Sequence, residues 1–198
     1  MNRREITGLI LAGGQAQRMG GVDKGIQPFR GRPMVEWVVD RLSPQVGPLL
    51  INCNQNLDAY AHFGYPLVSD LIAGYAGPLA GLQAGLSTAT TPLLATCPCD
   101  SPFLPADLVA RLHAGLSESG ARLAVARTGA QVHPVFLLCR RELLDGLNRY
   151  LGEGGRKIDA WYASIGAVEV GFDDEAEAFA NINTVAQMRM LDGAEGAA

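Results

Sequence analysis

Leu11-Ala12-Gly13-Gly14-Gln15-Ala16-Gln17-Arg18-Met19-Gly20-Gly21-Val22-Asp23-Lys24 is the stretch from which the rest of this 198-residue chain can be read. The run before it, Ile6 to Leu11, is short, partly β-branched and closed by glycine, the pattern of a buried strand. Four glycines then give a main chain that can take positive φ and approach a ligand closely. Successive amide N–H groups in such a loop can turn inward around an anion. Arg18 and Lys24 add two positive charges, and a polyphosphate is the simplest ligand for the combination. The stretch is not a P-loop, because Gly-x-x-x-x-Gly-Lys-Ser/Thr is absent, and it lacks the Gly-x-Gly-x-x-Gly of dinucleotide sites. The plain alternative is a strand followed by a glycine-rich surface loop with two solvated charges.

Beyond the loop, strands and helices alternate. Arg32-Pro33 opens a helix in which Met34, Val35, Val38, Val39 and Leu42 recur at helical spacing, closed by Pro44. Pro48 to Cys53 reads as a strand ending at Asn52, a short helix covers about Leu57 to Phe63, and Tyr65 to Ser69 is a strand delivering Asp70. Pro78 suits the first position of a helix running to about Thr88. Pro92 to Cys97 is a strand that delivers Asp100. A helix from Pro105 to about Leu116 follows, then strands Arg122 to Arg127 and His133 to Leu138 joined by a loop at 128–131. Two strands so close predict a local antiparallel hairpin on a mainly parallel sheet. A helix from Arg140 to Leu151, a helix carrying Ile158, Trp161 and Tyr162, and a strand from Ala167 to Val170 complete the pattern. Thr184 and Gln187 form a capping box for a final helix. The fold class expected is three-layer α/β, Rossmann-like, in one domain over 1–198.

Polar residues just past strand ends face the crevice where open parallel sheets bind ligands. Asn52 and Asp70 occupy such places, each also readable as a turn residue. Asp100 is a costly acid at the end of a buried strand unless it meets a cation. Magnesium takes one or two carboxylates with phosphate oxygens and waters, so Asp100 reads as its ligand, with a turn cap before Pro102 as the alternative. Gly77 and Pro78 begin a helix whose free N–H groups could meet a second anion. Gly152-Glu153-Gly154-Gly155-Arg156-Lys157 is a second glycine-rich basic loop. With the first loop committed to a nucleotide, Arg156 and Lys157 suit a second anionic substrate, or simply a solvated helix start. His133 reads as a substrate contact or, more plainly, a structural histidine. Asn181 and Asn183 alternate onto one face and are either turn residues or amides facing a substrate or the metal.

Composition bounds the rest. Apolar residues make up 48% of the chain, enough for a substantial core. A net charge of −4 disfavours broad attraction to nucleic acid or membranes. There is no Lys or Arg between Leu42 and Ala110, so cations for a triphosphate must come from the first loop or the C-terminal half. Lys24 and Lys157 are the only lysines against fourteen arginines, and both lie in glycine-flanked stretches. Cys53, Cys97, Cys99 and Cys139 lack paired zinc-ligand spacing and read as reduced, buried thiols. No signal peptide and no apolar run long enough to cross a bilayer are evident, so a cytoplasmic location is expected.

Leu11-Ala12-Gly13-Gly14, Arg18-Met19-Gly20-Gly21 and Asp23-Lys24 together resemble the signature loop of nucleotidyltransferases. The doubled glycine and Asp-Lys resemble most the molybdenum cofactor guanylyltransferases, the MobA family. Gly77-Pro78-Leu79-Ala80-Gly81, the His-Pro at 133–134 and Asn181-Ile182-Asn183-Thr184 extend the likeness over nearly the whole chain. Val185 and Ala186-Gln187 depart from the family habit of Pro and acids there. The resemblance implies transfer of GMP from GTP to the terminal phosphate of molybdenum-molybdopterin, with release of pyrophosphate and magnesium as cofactor. It implies Arg18, Lys24 and Asp100 as catalytic residues, Asp100 as the metal ligand, and Leu11, Ala12, Gly13, Gly14, Lys24, Asn52, Asp70 and Asp100 as the GTP site, Asp70 near base or ribose. It gives the molybdopterin site to Gly77, Pro78, Arg156, Lys157, Asn181 and Asn183, so that the N-terminal half takes the nucleotide and the C-terminal half the pterin. Expected partners are the two substrates, cofactor-delivery proteins and recipient molybdoenzymes, for a monomer binding neither nucleic acid nor membrane. A CTP-using relative, a sugar-phosphate nucleotidyltransferase, and a non-catalytic nucleotide sensor or cofactor chaperone are the alternatives.

Overall fold

The computed structural model describes residues 1–14, 23–72 and 77–179. Among the described residues, seven strands form one sheet in the order β5-β4-β1-β6-β8-β7-β9. They are β1 (Ile6–Leu11), β4 (Leu49–Asn52), β5 (Leu67–Val68), β6 (Leu93–Pro98), β7 (Leu123–Thr128), β8 (Gln131–Arg140) and β9 (Val168–Gly171). β8 is antiparallel to both neighbours, and the other pairings are parallel. The expected mixed sheet with one antiparallel element is therefore the fold found.

Helices cover both faces, because parallel strands bury both sides and need apolar cover on each. One core joins α1 (Met34–Leu42), α2 (Leu57–Ala61) and α4 (Leu108–Ser119) to the sheet through Val35, Val38, Tyr60, Leu108 and Leu112. The other joins α3 (Pro78–Thr88), α5 (Leu144–Gly152) and α6 (Ile158–Ile165) through Leu79, Leu82, Leu147, Leu151 and Trp161. No side chain of 105–107 caps α4; the buried Gln45 does so, accepting from Val109 N at 2.9 Å and donating to Pro105 O at 2.9 Å.

Several boundaries differ from expectation for local physical reasons. Arg32-Pro33 does not open α1 but forms strand β3, paired with β2 (Pro28–Phe29) in a two-stranded ribbon. Arg30 and Gly31 turn this ribbon with positive φ of 49° and 75°. The expected loop at 128–131 shrinks to Gly129-Ala130, since Gly129 at φ 54° allows a tight hairpin and both flanking residues join the ladder. Arg140 ends β8 rather than starting a helix; a 3₁₀ turn at Arg141–Leu143 precedes α5. α4 begins at Leu108, three residues later than Pro105 suggested. The final helix with its capping box lies outside the described residues.

Candidate active site

The parallel register sets the site. Leu11 is aligned with Asn52 on one side and Pro98 on the other, and Asn52 is aligned with Val68. Val68, Asn52, Leu11 and Pro98 thus form one row across four strands. Two residues past each member of that row come Asp70, Asn54, Gly13 and Asp100. This is the carboxyl edge of the sheet, where ligands of open α/β folds bind.

Two clusters stand along this edge. In the first, Lys24 Nζ lies 3.0 Å from Asp100 Oδ2, with the side chains 27% and 12% exposed. The pair is only partly sheltered, which leaves it open to a ligand. In the second, Asn52 Nδ2 donates to Asp70 Oδ1 at 2.9 Å and Asn54 Nδ2 to Asp70 Oδ2 at 2.9 Å. Asp70 N donates back to Asn54 Oδ1 at 2.9 Å, and Asn54 Nδ2 also reaches Gly13 O at 3.1 Å. The Asp70 carboxylate is thereby fixed in orientation, with one amide donor on each oxygen. A carboxylate oxygen accepts more than one hydrogen bond, so capacity remains on both for a base that presents two N–H groups side by side.

Glycine is required at two places around Asn52. A Cβ on Gly13 would lie 2.8 Å from Asn52 Oδ1 and 2.7 Å from Asn54 Nδ2, and one on Gly81 would lie 2.4 Å from Asn52 Oδ1. The glycine loop and the first turn of α3 close on this amide from two sides. Gly77, at φ 75°, precedes Pro78 at the start of α3 on the same edge, since β5 runs toward that edge and α3 leads away from it.

Topology brings the second basic loop to the same edge. β8 runs away from it, α5 returns, and Glu153 to Lys157 follow α5. Arg156 Nη1 donates to Leu151 O at 2.9 Å and Gly155 O at 2.7 Å, so the guanidinium also closes the C-terminus of α5, where a cation is favoured. Arg156 and Lys157 are both exposed. His133 is buried, stacked on Phe179 with centroids 4.6 Å apart, and its Nε2 lies 2.7 Å from Thr128 Oγ1. That environment favours its structural reading. Arg18, Asn181 and Asn183 lie outside the described residues.

The four cysteines are free and buried. Burial pushes the thiols of Cys53 and Cys139 up to about 11 and about 12, and raises those of Cys97 and Cys99 well above the ordinary thiol range, so none is a thiolate near neutral pH. Among the described residues no three His, Cys, Asp or Glu side chains converge to hold a metal ion by themselves. A lone Asp100 carboxylate fits magnesium, which takes the rest of its shell from phosphate and water, and does not fit zinc. The sequence alone assigns no individual role to Asn54 or Asp23. The alternation Asn52-Cys53-Asn54, which puts both amides on one side of the strand end, is the signal for the first.

Gly13, the Lys24–Asp100 pair and the amide-held Asp70 carboxylate thus share one carboxyl edge, an arrangement suited to a nucleotide and a cation. The family model of the MobA-like NTP transferase domain matches residues 8–167, and the chain belongs to that family. Within it, a molybdenum cofactor guanylyltransferase of Ralstonia nicotianae is 57% identical over 196 residues, 94% of this chain and 96% of that protein. One from Cupriavidus necator is 54% identical over 192 residues, with the same coverage of 94% and 96%. The chain is a member of the molybdenum cofactor guanylyltransferases. The fold is shared with molybdopterin-guanine dinucleotide biosynthesis protein A from Archaeoglobus fulgidus, with a TM-score of 0.79 at 22% identity over 94% of this chain and 97% of that one. It is shared also with CMP:2-keto-3-deoxy-manno-octonic acid synthetase, with a TM-score of 0.70 at 12% identity over 98% and 99%. Among the described residues no helix is long and apolar enough to cross a membrane.

Proposed function

We propose that this enzyme transfers GMP from GTP to the terminal phosphate of molybdenum-molybdopterin, forming the guanine dinucleotide cofactor and releasing pyrophosphate. The observation that carries this reading is the Lys24–Asp100 pair at the edge where Gly13 and Asp70 also end. The likeness to guanylyltransferases over nearly the whole chain supports the choice of substrates.

The main chain of Leu11, Ala12, Gly13 and Gly14, with Arg18 and Lys24, receives the triphosphate. Asn52 and Asp70 receive the nucleoside, the fixed carboxylate accepting the paired N–H groups of guanine. Asp100 would hold magnesium, which would supply charge neutralisation for the departing pyrophosphate. Lys24 exchanges its carboxylate partner for phosphate oxygens and stabilises the same developing charge. No strong general base is needed, because a phosphate monoester with a second pKa of about 6 is already largely an anion near neutral pH. The remaining contribution is to bring two polyanions together in line. Gly77, Pro78, Arg156, Lys157, Asn181 and Asn183 hold the pterin substrate, so one domain divides into a nucleotide half and a pterin half. We place the reaction in the cytoplasm, in a monomer that meets cofactor-delivery proteins and recipient molybdoenzymes.

The test is pyrophosphate release from magnesium, molybdopterin and either GTP or CTP. Release with GTP and little with CTP is expected. Release with CTP alone would move the chain to cytidylyl transfer, and tight GTP binding without release from either would leave a sensor or chaperone.

A further inference from the structure

Lys24 carries its charge on a long flexible stem, so where the ammonium stands depends on how firmly its backbone is held. The residue before it, Asp23, is held by α2 and its N-cap Asn56, which lie outside the row of strand ends. Asp23 Oδ1 accepts from the Tyr60 hydroxyl at 2.7 Å and from Gly25 N at 3.1 Å, and Oδ2 accepts from Asn56 Nδ2 at 3.1 Å. Tyr60 is fully buried in the core beneath α1. Burial pushes its phenol far above the ordinary range, so the hydroxyl stays a donor. A Cβ on Gly25 would lie 2.2 Å from that hydroxyl, so only glycine lets the turn rest against the ring. From the other side, Val35 N donates to Gly25 O at 2.9 Å, tying the same turn to the start of α1, and Gln27 N closes the turn on Lys24 O at 3.2 Å.

We propose that Asp23, latched by Tyr60 and Asn56, is a positioning residue that fixes the turn bearing Lys24, so that α2 sets the transfer rate without touching the nucleotide. This rests on the reading of Lys24 as a triphosphate ligand. A charge held in advance where negative charge develops needs no rearrangement during the reaction, and a misplacement of about 1 Å can cost about a hundredfold in rate.

Two substitutions release the latch with little other change. Tyr60→Phe keeps the ring and removes one donor. Asn56→Gly removes the other at an exposed position whose φ of 53° suits glycine. The double variant is expected to lose about ten- to hundredfold in kcat for pyrophosphate release, with KM for GTP changing far less. In a Lys24→Ala background the same two substitutions should cost nothing further, because they act through that side chain. Native kcat in the double variant, or an undiminished further loss in the Lys24→Ala background, would overturn the latch and leave the function intact. Asn56→Gly alone serves the same comparison if thermal unfolding shows Tyr60→Phe to be unfolded. Normal turnover in Lys24→Ala would instead remove the reading of Lys24, and the latch with it.

Discussion

Lys24 Nζ and Asp100 Oδ2 meet at 3.0 Å although 76 residues separate them in the chain. One leaves a glycine loop after β1 and the other the end of β6, and parallel pairing of those strands brings both ends to one edge. The proposed triphosphate chemistry centres on this contact, with the Asp70 cluster farther along the same edge.

Asn54 joins the glycine loop to Asp70, so its removal should loosen nucleotide binding more than chemistry. Asn54→Ala is expected to raise KM for GTP about tenfold, the scale of hydrogen bonds to a charged group, with kcat much less affected. Steady-state kinetics at saturating molybdopterin measure both. A fall in kcat with KM unchanged would argue against Asn54 as part of the base site.

Gly81 leaves no room for a side chain. Its Cβ would stand 2.4 Å from Asn52 Oδ1 and 2.7 Å from Leu11 Cδ2, both held in packed surroundings. Gly81→Ala should cost about 1–3 kcal/mol of stability by overpacking and also raise KM for GTP, because the displaced amide is one of the two that orient Asp70. Urea denaturation together with GTP titration checks this. Loss of stability with unaltered GTP binding would separate Asn52 from the nucleotide.

Arg156 is exposed at the same edge and also closes α5. Arg156→Ala should raise KM for molybdopterin and leave GTP affinity unchanged, with Arg156→Lys intermediate. Reduced GTP affinity with normal molybdopterin use would reverse the proposed division between the two loops.

His133 is buried against Phe179, and burial lowers its pKa from the ordinary 6.5. The unfolded chain therefore takes up this proton first as pH falls. The stability that depends on neutral His133 is complete above about pH 6.5 and is lost below it, toward the lower folded value. His133→Gln should flatten the decline of the thermal midpoint between about pH 7 and pH 5. An unchanged slope would show that other groups govern it.

Much of this was legible in the sequence. The apolar runs, the glycine loop and the acids past strand ends specified a mixed sheet and the edge where Lys24 and Asp100 meet. The failures were local. Arg32-Pro33 resembles a helix start, yet the positive φ at Arg30 and Gly31 folds it into a ribbon, a backbone choice that apolar periodicity does not register. Asp23 and Asn54 carried no visible role because their partners, Tyr60 and Asp70, are distant in sequence and become neighbours only through packing. Arg156 reads as a ligand for an anion, and its bonds to Leu151 and Gly155 give the same charge a second use at a helix terminus that sequence does not reveal.

The most direct measurement is formation of molybdopterin guanine dinucleotide from magnesium, GTP and molybdopterin by Lys24→Ala and Asp100→Ala, each shown by circular dichroism to be folded. Both should fall by about a hundredfold or more in kcat, the scale of losing one group that stabilises transition-state charge. Turnover near the native rate in either folded variant would contradict the assignment of triphosphate chemistry to this edge of the sheet.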